Sequence, residues 1–256
     1  MSQYIFGSGS LVGTPTADAF GAAIALPTPI KFGALQDVSL DISFDTKMLY
    51  GGNQFPLAIG RGKGKVTGKA AVAQINGSLW NSLLFGQGLS ASVLSDFIDA
   101  TGTVIPITPF TITPTPPGSG VFSYDLGVIG PTGTPFKRVT GTPTTGQYSE
   151  TGGVYLFSTA DSTSGLRVFI NYNYTATSTT SQVGVVNNVP MGYAPTFQAD
   201  LVLTFQGKVL TVSLPNCIST KLGLATKLDD FAIPSIEFDA FANAGGAVMT
   251  YSTTDA

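Results

Sequence analysis

The clearest periodic pattern in the chain is an alternation of apolar and polar residues between positions 35 and 45, whose sequence is LQDVSLDISFD. From residue 37 onward, every even position is Val, Leu, Ile or Phe, and every odd position is Asp or Ser. Successive side chains of a β-strand point to opposite faces of its sheet. The segment is therefore predicted to be a strand with one apolar face and one acidic face, which carries Asp37, Asp41 and Asp45.

A second strand, with a basic face, is predicted over residues 57–72. Arg61, Lys63, Lys65 and Lys69 share one parity, whereas the other parity is mostly glycine. The lack of bulk on the glycine face indicates that another element packs very close to it. The intervening sequence KMLYGGNQFP is typical of a strand end followed by a loop or long hairpin tip. If the two strands pair, opposite charges lie side by side and contribute about 0.2–1 kcal/mol per pair.

The spacing of apolar residues changes in the segment AQINGSLWNSLLFG, residues 73–86. Ile75, Leu79 and Leu83 recur every four residues with Trp80 beside them, which predicts one apolar stripe of a helix of about three turns. Gly86 occupies the position that a glycine commonly takes just after a helix. We expect these four apolar side chains to pack the helix against a sheet.

The region 101–195 has a different character, with Pro- and Gly-rich turns between short apolar runs. Such spacing predicts several short strands in a small β-sandwich or barrel. Because the sequence after it resumes the earlier style, this region is interpreted as an insertion in a core domain. That core domain comprises residues 1–100 and 196–256, and it begins with an extended arm at 1–34 that contains one short strand.

The second half of the core domain contains two further predicted elements. Residues 199–214 are predicted to form a hairpin with its turn at Gln206–Lys208. The segment SIEFDAFA, residues 235–242, is predicted to be the final strand, with Glu237 and Asp239 on its polar parity. The tail from Asn243 is expected to be a loose strand or arm.

The composition excludes several classes of function. The chain has no histidine and one cysteine, so it has no Ser-His-Asp triad, no Cys-His dyad and no CxxC site. We expect it not to be an enzyme, and to use no cofactor, no metal and no catalytic residues. A net charge of −3 disfavours a protein that binds nucleic acid by neutralising phosphates. No signal peptide pattern and no apolar run of about 18 residues is present, so we expect synthesis in a cytoplasm and no membrane.

Charged residues make up only 11% of the chain, whereas soluble surfaces are commonly about 25–35% charged. Such a protein is expected to cover much of its surface in an assembly. Two local patterns have alternative interpretations: a phosphate cradle in the glycine-lysine run at 60–65, and a metal or acid-base site among the acidic residues. The first lacks the spacing of a P-loop, and the second lacks the spacing of a calcium loop. Strand faces account for both patterns more simply.

The order of these parts resembles the core of tail tube proteins (major tail proteins) of long-tailed bacteriophages. The resemblance rests on the segment from Phe32 to Gly86, with its acidic strand, Leu-Tyr-Gly loop, basic strand and helix. KLDDFAIPSIEFDAFA, residues 227–242, resembles the closing strand of that family. The middle region resembles β-domains inserted in phage virion proteins. Because the lumen of a tail tube has no room for such a domain, the resemblance implies that residues 101–195 lie on the outer surface.

The resemblance implies a β-sandwich or barrel with one flanking helix that assembles into hexameric rings. These rings stack into a hollow tube around a tape-measure protein, bind tail-end proteins, and conduct DNA without gripping it during ejection. The expected location is the virion tail, after synthesis in the bacterial host. We expect the following charged residues to face the lumen: Asp37, Asp41, Asp45, Arg61, Lys63, Lys65, Lys69, Glu237 and Asp239.

Two other functions remain open from the sequence. The chain could be another virion structural protein, such as a head decoration protein. It could also be a carbohydrate-binding β-protein whose tyrosines form a sugar platform, although aromatic residues in β-domains are more often core residues. The tyrosines concerned are Tyr148, Tyr155, Tyr172 and Tyr174.

Overall fold

The computed structural model describes residues 4–254. Over that range the chain is mainly β, as the sequence predicts. It divides into two compact units: unit 1 comprises residues 1–88 and 184–256, and unit 2 comprises residues 89–183. The sequence-based boundaries lie later, at 101 and 195, because the pattern did not reveal that the strand beginning at Leu89 belongs to the sheet of unit 2.

The strands of both units range from two residues to sixteen or more. In chain order they are β1 Ser10–Ala17, β2 Ile30–Lys31, β3 Leu35–Tyr50, β4 Pro56–Val72, β5 Leu89–Phe97, β6 Thr103–Val104, β7 Thr111–Ile112, β8 Val121–Ile129, β9 Lys137–Arg138, β10 Gln147–Thr151, β11 Val154–Phe157, β12 Arg167–Gly184, β13 Thr196–Phe205, β14 Lys208–Gly223, β15 Ser235–Ala240 and β16 Thr250–Thr253. The helical segments are α1 Gly77–Trp80, continued by a π-helical turn Asn81–Phe85, a 3₁₀ turn Pro117–Ser119, and α2 Thr159–Thr163.

One antiparallel sheet forms unit 1, in the order β2-β1-β13-β14-β15-β4-β3, with β16 also paired to β14. The predicted pairing of the acidic and basic strands is confirmed, because β3 and β4 form one long hairpin. The predicted turn at 206–208 is also confirmed. Gln206 and Gly207 have φ of 50° and 77°, and Phe205 pairs with Lys208 across a two-residue turn of the kind that suits hairpins.

The predicted helix is present but shorter than the sequence indicates. Asn76 caps it, since its side-chain oxygen accepts a hydrogen bond from the Leu79 N–H at 3.2 Å. The helical segment ends at Phe85, and Gly86 takes the left-handed conformation (φ 59°) expected of a residue that terminates a helix. The cap at Asn76 therefore places the first residues of the predicted stripe outside the helix.

Three of the four predicted packing residues of the helix meet the sheet. Leu79 and Leu83 are fully buried, and Trp80 is partly buried against the same core. The prediction for Ile75 is wrong: it precedes the helix cap and is 56% exposed. The helix lies close to the sheet at Gly13, where a Cβ would stand only 2.5 Å from Leu83 Cδ1.

The core of unit 1 draws on both ends of the chain. Its buried members are Leu11, Phe32, Ala70, Val72, Leu79, Leu83, Phe197, Ala199, Leu214, Cys217, Ile236 and Phe238. Leu11 lies on β1, which pairs with β13, and Phe32 is fully buried just after β2. The short strand predicted within residues 1–34 is present as β1, and β2 is a second one. The prediction that this region is otherwise an extended arm is wrong for residues 10–17 and 30–32, because Leu11 and Phe32 belong to this core.

The C-terminal tail also joins the sheet. Thr250–Thr253 pairs antiparallel with residues 210–213 of β14, and Met249 packs against the core. The expected loose strand is thus present as β16. Asp255 and Ala256, with Met1 to Gln3, lie outside the described residues.

Unit 2 contains two four-stranded sheets. One has the order β7-β11-β10-β9, and in the other β12 pairs with β5, β6 and β8. Both sheets contribute to one core: Ile105, Val128, Tyr148, Tyr155, Phe157, Val168, Ile170 and Tyr172. Several short strands around a shared core agree with the β-sandwich expected for this region.

Candidate functional site

Three neighbouring strands of unit 1 bring many of the predicted charged residues onto one face. In the register, Lys69 lies opposite Ser39 of β3 on one side and Glu237 of β15 on the other. Residues directly opposite each other in antiparallel strands point to the same face. We call this surface the charged face, and define it as Asp37, Asp41, Lys65, Lys69, Lys221, Glu237 and Asp239.

The ion pairs of the charged face connect β15 to its neighbours. Lys65 Nζ lies 3.4 Å from Asp239 Oδ2, and Lys69 Nζ lies 3.7 Å from Glu237 Oε1. Lys221 approaches the same Glu237 oxygen at 3.5 Å, so this carboxylate lies between two ammonium groups. The side chains are 33–64% exposed. Each pair therefore contributes at most about 1 kcal/mol, and the pairs fix register more than they stabilise the fold.

The acidic row of β3 is not neutralised in the way its sequence suggests. Asp37 and Asp41 make no ion pair within residues 4–254, because Ala71 and Thr67 lie directly opposite them. The lysines of β4 lie opposite Ser39 and Ser43 instead. Asp41 borders an open groove of about 350 Å³ whose floor runs along β4 and β15. The face therefore combines paired charges at its centre with free carboxylates along β3.

A β-bulge in β4 changes the face to which the predicted basic side chains beyond it point. Phe44 lies opposite Gly64, but Thr46 lies opposite Arg61, so β4 has one extra residue between these pairs. A bulge of this kind reverses the alternation beyond it. The assignment of Arg61 to the charged face is therefore wrong: its guanidinium carbon lies 4.5 Å from the centre of the Phe44 ring, on the opposite face.

The remaining predicted residues lie beyond the three-stranded part of the sheet. β15 ends opposite Val66, so residues 44–64 form a two-stranded extension, which we call the distal hairpin. Asp45 and Lys63 lie in it, away from the lysine-carboxylate pairs. Six of the nine predicted residues thus lie on the charged face. Of the other three, Arg61 lies on the opposite face, and Asp45 and Lys63 lie in the distal hairpin.

The distal hairpin exposes an unusual number of large apolar side chains. Met48 and Leu49 are adjacent in β3 and so lie on opposite faces, at 50% and 63% exposure. The complete set is Phe44, Met48, Leu49, Tyr50, Phe55, Leu57 and Ile59. An isolated two-stranded hairpin is marginally stable in water at best. A hairpin that is apolar on both faces is therefore a surface that another element is expected to cover.

The sheet of unit 1 also has open edges. β3, which is sixteen residues long, has no partner on its outer side within residues 4–254, and β2 ends the sheet at the other side. An open edge offers a row of unpaired N–H and C=O groups to another strand. The charged face, the distal hairpin and the β3 edge thus form one continuous candidate assembly surface.

A buried polar network in unit 2 was not predicted from the sequence. Asp125 accepts hydrogen bonds from the hydroxyls of Tyr148 (2.6 Å) and Tyr155 (3.0 Å), and Arg138 links it to Glu150. The two carboxylates are 4% and 7% exposed. Burial, followed by the nearby Asp125, raises the pKa of both tyrosines. The residues are far apart in the chain, so no local motif could have indicated this network.

The four tyrosines that could form a sugar-binding platform lie in or against the core of unit 2. Tyr148, Tyr155 and Tyr172 are at most 3% exposed and form the core of unit 2, and Tyr174 packs against that core. They cannot present their ring faces to a sugar. The glycine-lysine run at 60–65 lies within β4, as the strand interpretation predicts, and not in a phosphate-binding loop.

In residues 4–254 there is no cluster of three or more His, Cys, Asp or Glu side chains that could hold a metal ion. No helix in the same range is long and apolar enough to cross a membrane. A scan against known protein families found no matching family, and a search of curated proteins found no match.

Proposed function

We propose that this chain is a structural virion protein that self-assembles into stacked hexameric rings and forms the hollow tail tube of a long-tailed phage. The observation that carries this proposal is the distal hairpin, which exposes large apolar side chains on both faces. Exposed apolar patches of this kind on a protein mark an interaction surface or an aggregation hazard. Self-assembly covers them, and it also accounts for the low fraction of charged residues.

In this proposal, closure of the ring pairs the open sheet edges of neighbouring copies. If β3 of one copy pairs with the opposite edge of the next, each subunit adds its strands to one continuous barrel. Closing a barrel removes every exposed edge, which relieves the aggregation hazard of a sixteen-residue edge strand. The interface is head to tail, so identical contacts repeat around the ring. The number of six subunits comes from the family resemblance.

The charged face then lines the lumen. It carries four carboxylates and three lysines, of which the lysines are engaged with Glu237 and Asp239. The carboxylates of Asp37 and Asp41 stay free to repel phosphates over a Debye length of about 8 Å. Such a surface lets DNA slide without binding it, and it also suits contact with a tape-measure protein before ejection. Unit 2 lies on the outer side of the tube in this proposal.

Electron microscopy of the purified chain tests this function directly. We expect rings of six subunits and hollow tubes, with β3 edges paired between neighbours and Asp41 and Glu237 lining the lumen. A chain that remains monomeric at high concentration contradicts the proposal. Binding only to preformed capsids would indicate a head decoration protein instead.

Three single variants identify the assembly surface. Leu49→Ser and Leu57→Ser change exposed residues of the distal hairpin, so the monomer should fold normally while assembly into tubes is lost. Val154→Ser, at a partly exposed position of unit 2, serves as the control and should assemble normally. Equal assembly by all three variants would remove the distal hairpin as the basis of the proposal.

A further inference from the structure

A second exposed apolar segment lies in unit 1, between β14 and β15. We call residues 224–234 the connecting segment; its sequence is LATKLDDFAIP. Leu228 is 97% exposed and Phe231 is 85% exposed, and Leu224 and Ile233 are also exposed. Solitary apolar residues on a surface need no explanation, but four within ten residues form a patch that a partner is expected to cover.

The connecting segment and the distal hairpin lie at opposite ends of the same strands. The Val72 N–H, at the end of β4, donates a 2.9 Å hydrogen bond to the carbonyl of Pro234, whereas the hairpin tip precedes the start of β4 at Pro56. A strand of this length spans about 55 Å at the usual rise per residue. Sliding one copy along the strand direction therefore brings the hairpin of that copy to the connecting segment of the next.

The two patches also have complementary charge. The distal hairpin carries three cations, Lys47, Arg61 and Lys63, and one carboxylate, Asp45. The connecting segment carries two carboxylates, Asp229 and Asp230, and one cation, Lys227, which lies 3.1 Å from Asp230. Two negative charges and one positive charge leave this segment at −1, whereas three positive charges and one negative charge leave the hairpin at +2. Complementary charges fix the orientation of an interface and disfavour wrong pairings. Like patches would repel, so a hairpin-to-hairpin contact is disfavoured.

We propose that the connecting segment is the docking site for the distal hairpin of a second copy of this chain. Leu228 and Phe231 contact the apolar side chains of the hairpin, and Asp229 and Asp230 face its cations. Because the two patches differ and lie at opposite ends, the contact is heterologous and repeats without limit along one direction. This inference rests on the proposed function and adds to it the specific contact by which one ring stacks on the next.

Charge reversal with rescue tests this contact in the full-length chain. Asp229→Lys combined with Asp230→Lys, and separately Lys47→Glu combined with Lys63→Glu, should each leave rings intact and weaken their stacking into tubes. The concentration needed for tube growth should rise about tenfold or more, which corresponds to about 1.4 kcal/mol per contact. Joining all four substitutions in one chain should restore tubes, because the charges are complementary again. Lys137→Glu in unit 2 is the control and should form tubes like the unmodified chain.

The readouts separate this inference from the proposed function. Sedimentation and negative-stain microscopy distinguish monomers, rings and tubes, and circular dichroism shows that each variant is folded. Tubes formed normally by Leu228→Ser combined with Phe231→Ser, or a failure of the four-residue charge swap to recover stacking, would overturn the docking site while leaving ring formation intact. An unmodified chain that forms neither rings nor tubes would refute both proposals.

Discussion

Two glycines of β4, Gly64 and Gly68, lie directly opposite aromatic residues on neighbouring strands. The Phe44 ring covers Gly64, where a Cβ would stand 2.9 Å from Phe44 Cε1, and the Phe238 ring covers Gly68. The sequence predicts close packing against this bare face, and this is confirmed at both positions. The packing partners are aromatic rings of the same sheet and not a separate helix or sheet, because a ring placed over glycine replaces the missing side-chain contacts.

Gly68 therefore should not tolerate even a methyl group. A Cβ at this position overlaps the Phe238 ring, which is 3% exposed and packed in the core, so the ring has no free space into which to move. We expect Gly68→Ala to lower the free energy of unfolding by about 1–3 kcal/mol, as overpacked cores do. Gly60→Ala is the matched control, since nothing lies within 4 Å of its Cβ position. Equal stability of both variants in chemical denaturation would contradict this packing.

The two tyrosines of the unit 2 network predict a loss of stability at alkaline pH. Burial raises the pKa of Tyr148 and Tyr155 above the ordinary value, so the folded state holds both protons while the unfolded state releases them near pH 10. Their contribution is therefore fully present below about pH 10 and decreases as pH rises above it. We expect tyrosinate absorbance of these residues to appear only together with unfolding of unit 2.

Conservative variants separate this effect from general alkaline unfolding. Tyr155→Phe removes a 3.0 Å hydrogen bond to Asp125 and should cost about 1–2 kcal/mol at neutral pH. It also removes one titrating hydroxyl, so its stability should depend less on pH above 10. Tyr124→Phe, at a position 51% exposed, should change neither quantity. An unchanged alkaline profile for Tyr155→Phe would exclude this tyrosine as a cause.

At the scale of elements, the sequence predicts well where side chains alternate and poorly where a backbone irregularity interrupts the alternation. Local periodicity and turn residues predict the hairpin of β3 and β4, the turn at 206–208 and the helix. The bulge that turns Arg61 to the other face does not, because its position depends on pairing with β3. The same holds for Lys221, which joins the charged face after an irregularity between Ser219 and Lys221.

The helix shows the same limit and provides a direct test. Leu83 is fully buried in the core, whereas Ile75 stands outside the helix cap. We expect Leu83→Ala to cost about 2–5 kcal/mol, since it leaves a cavity between helix and sheet. Ile75→Ala should change the free energy of unfolding by at most about 0.5 kcal/mol, as exposed substitutions usually do. A similar loss in both variants would mean that the four-residue stripe, and not the cap, defines the packing.

At the scale of the whole molecule, the candidate assembly surface was predictable in composition but not in extent. The acidic and basic strands were identified from charge parity, and their pairing was correct. Local patterns did not indicate that β15 ends opposite Val66 and leaves residues 44–64 without a third strand. Nor did they show that Leu11 and Phe32 belong to the core, because these contacts join segments far apart in the chain.

Two separate cores predict two separable unfolding events. The buried cluster of unit 1 contains Leu83, and that of unit 2 contains Ile170, with no buried residue common to both clusters. Domains with their own cores commonly unfold as distinct cooperative units. We expect Leu83→Ala to lower the midpoint of one thermal transition and Ile170→Ala to lower that of the other, each by destabilising its own core by about 2–5 kcal/mol.

Calorimetry of the chain under conditions that keep it unassembled provides the measurement, since assembly stabilises whatever surface it covers. Tyrosine absorbance assigns the transitions, because Tyr148, Tyr155 and Tyr172 are buried in unit 2. A single transition that both substitutions shift equally would mean that the two units unfold as one. In assembled tubes we expect only the transition of unit 1 to rise, because the β3 edge and the distal hairpin that the proposed assembly covers both belong to that unit.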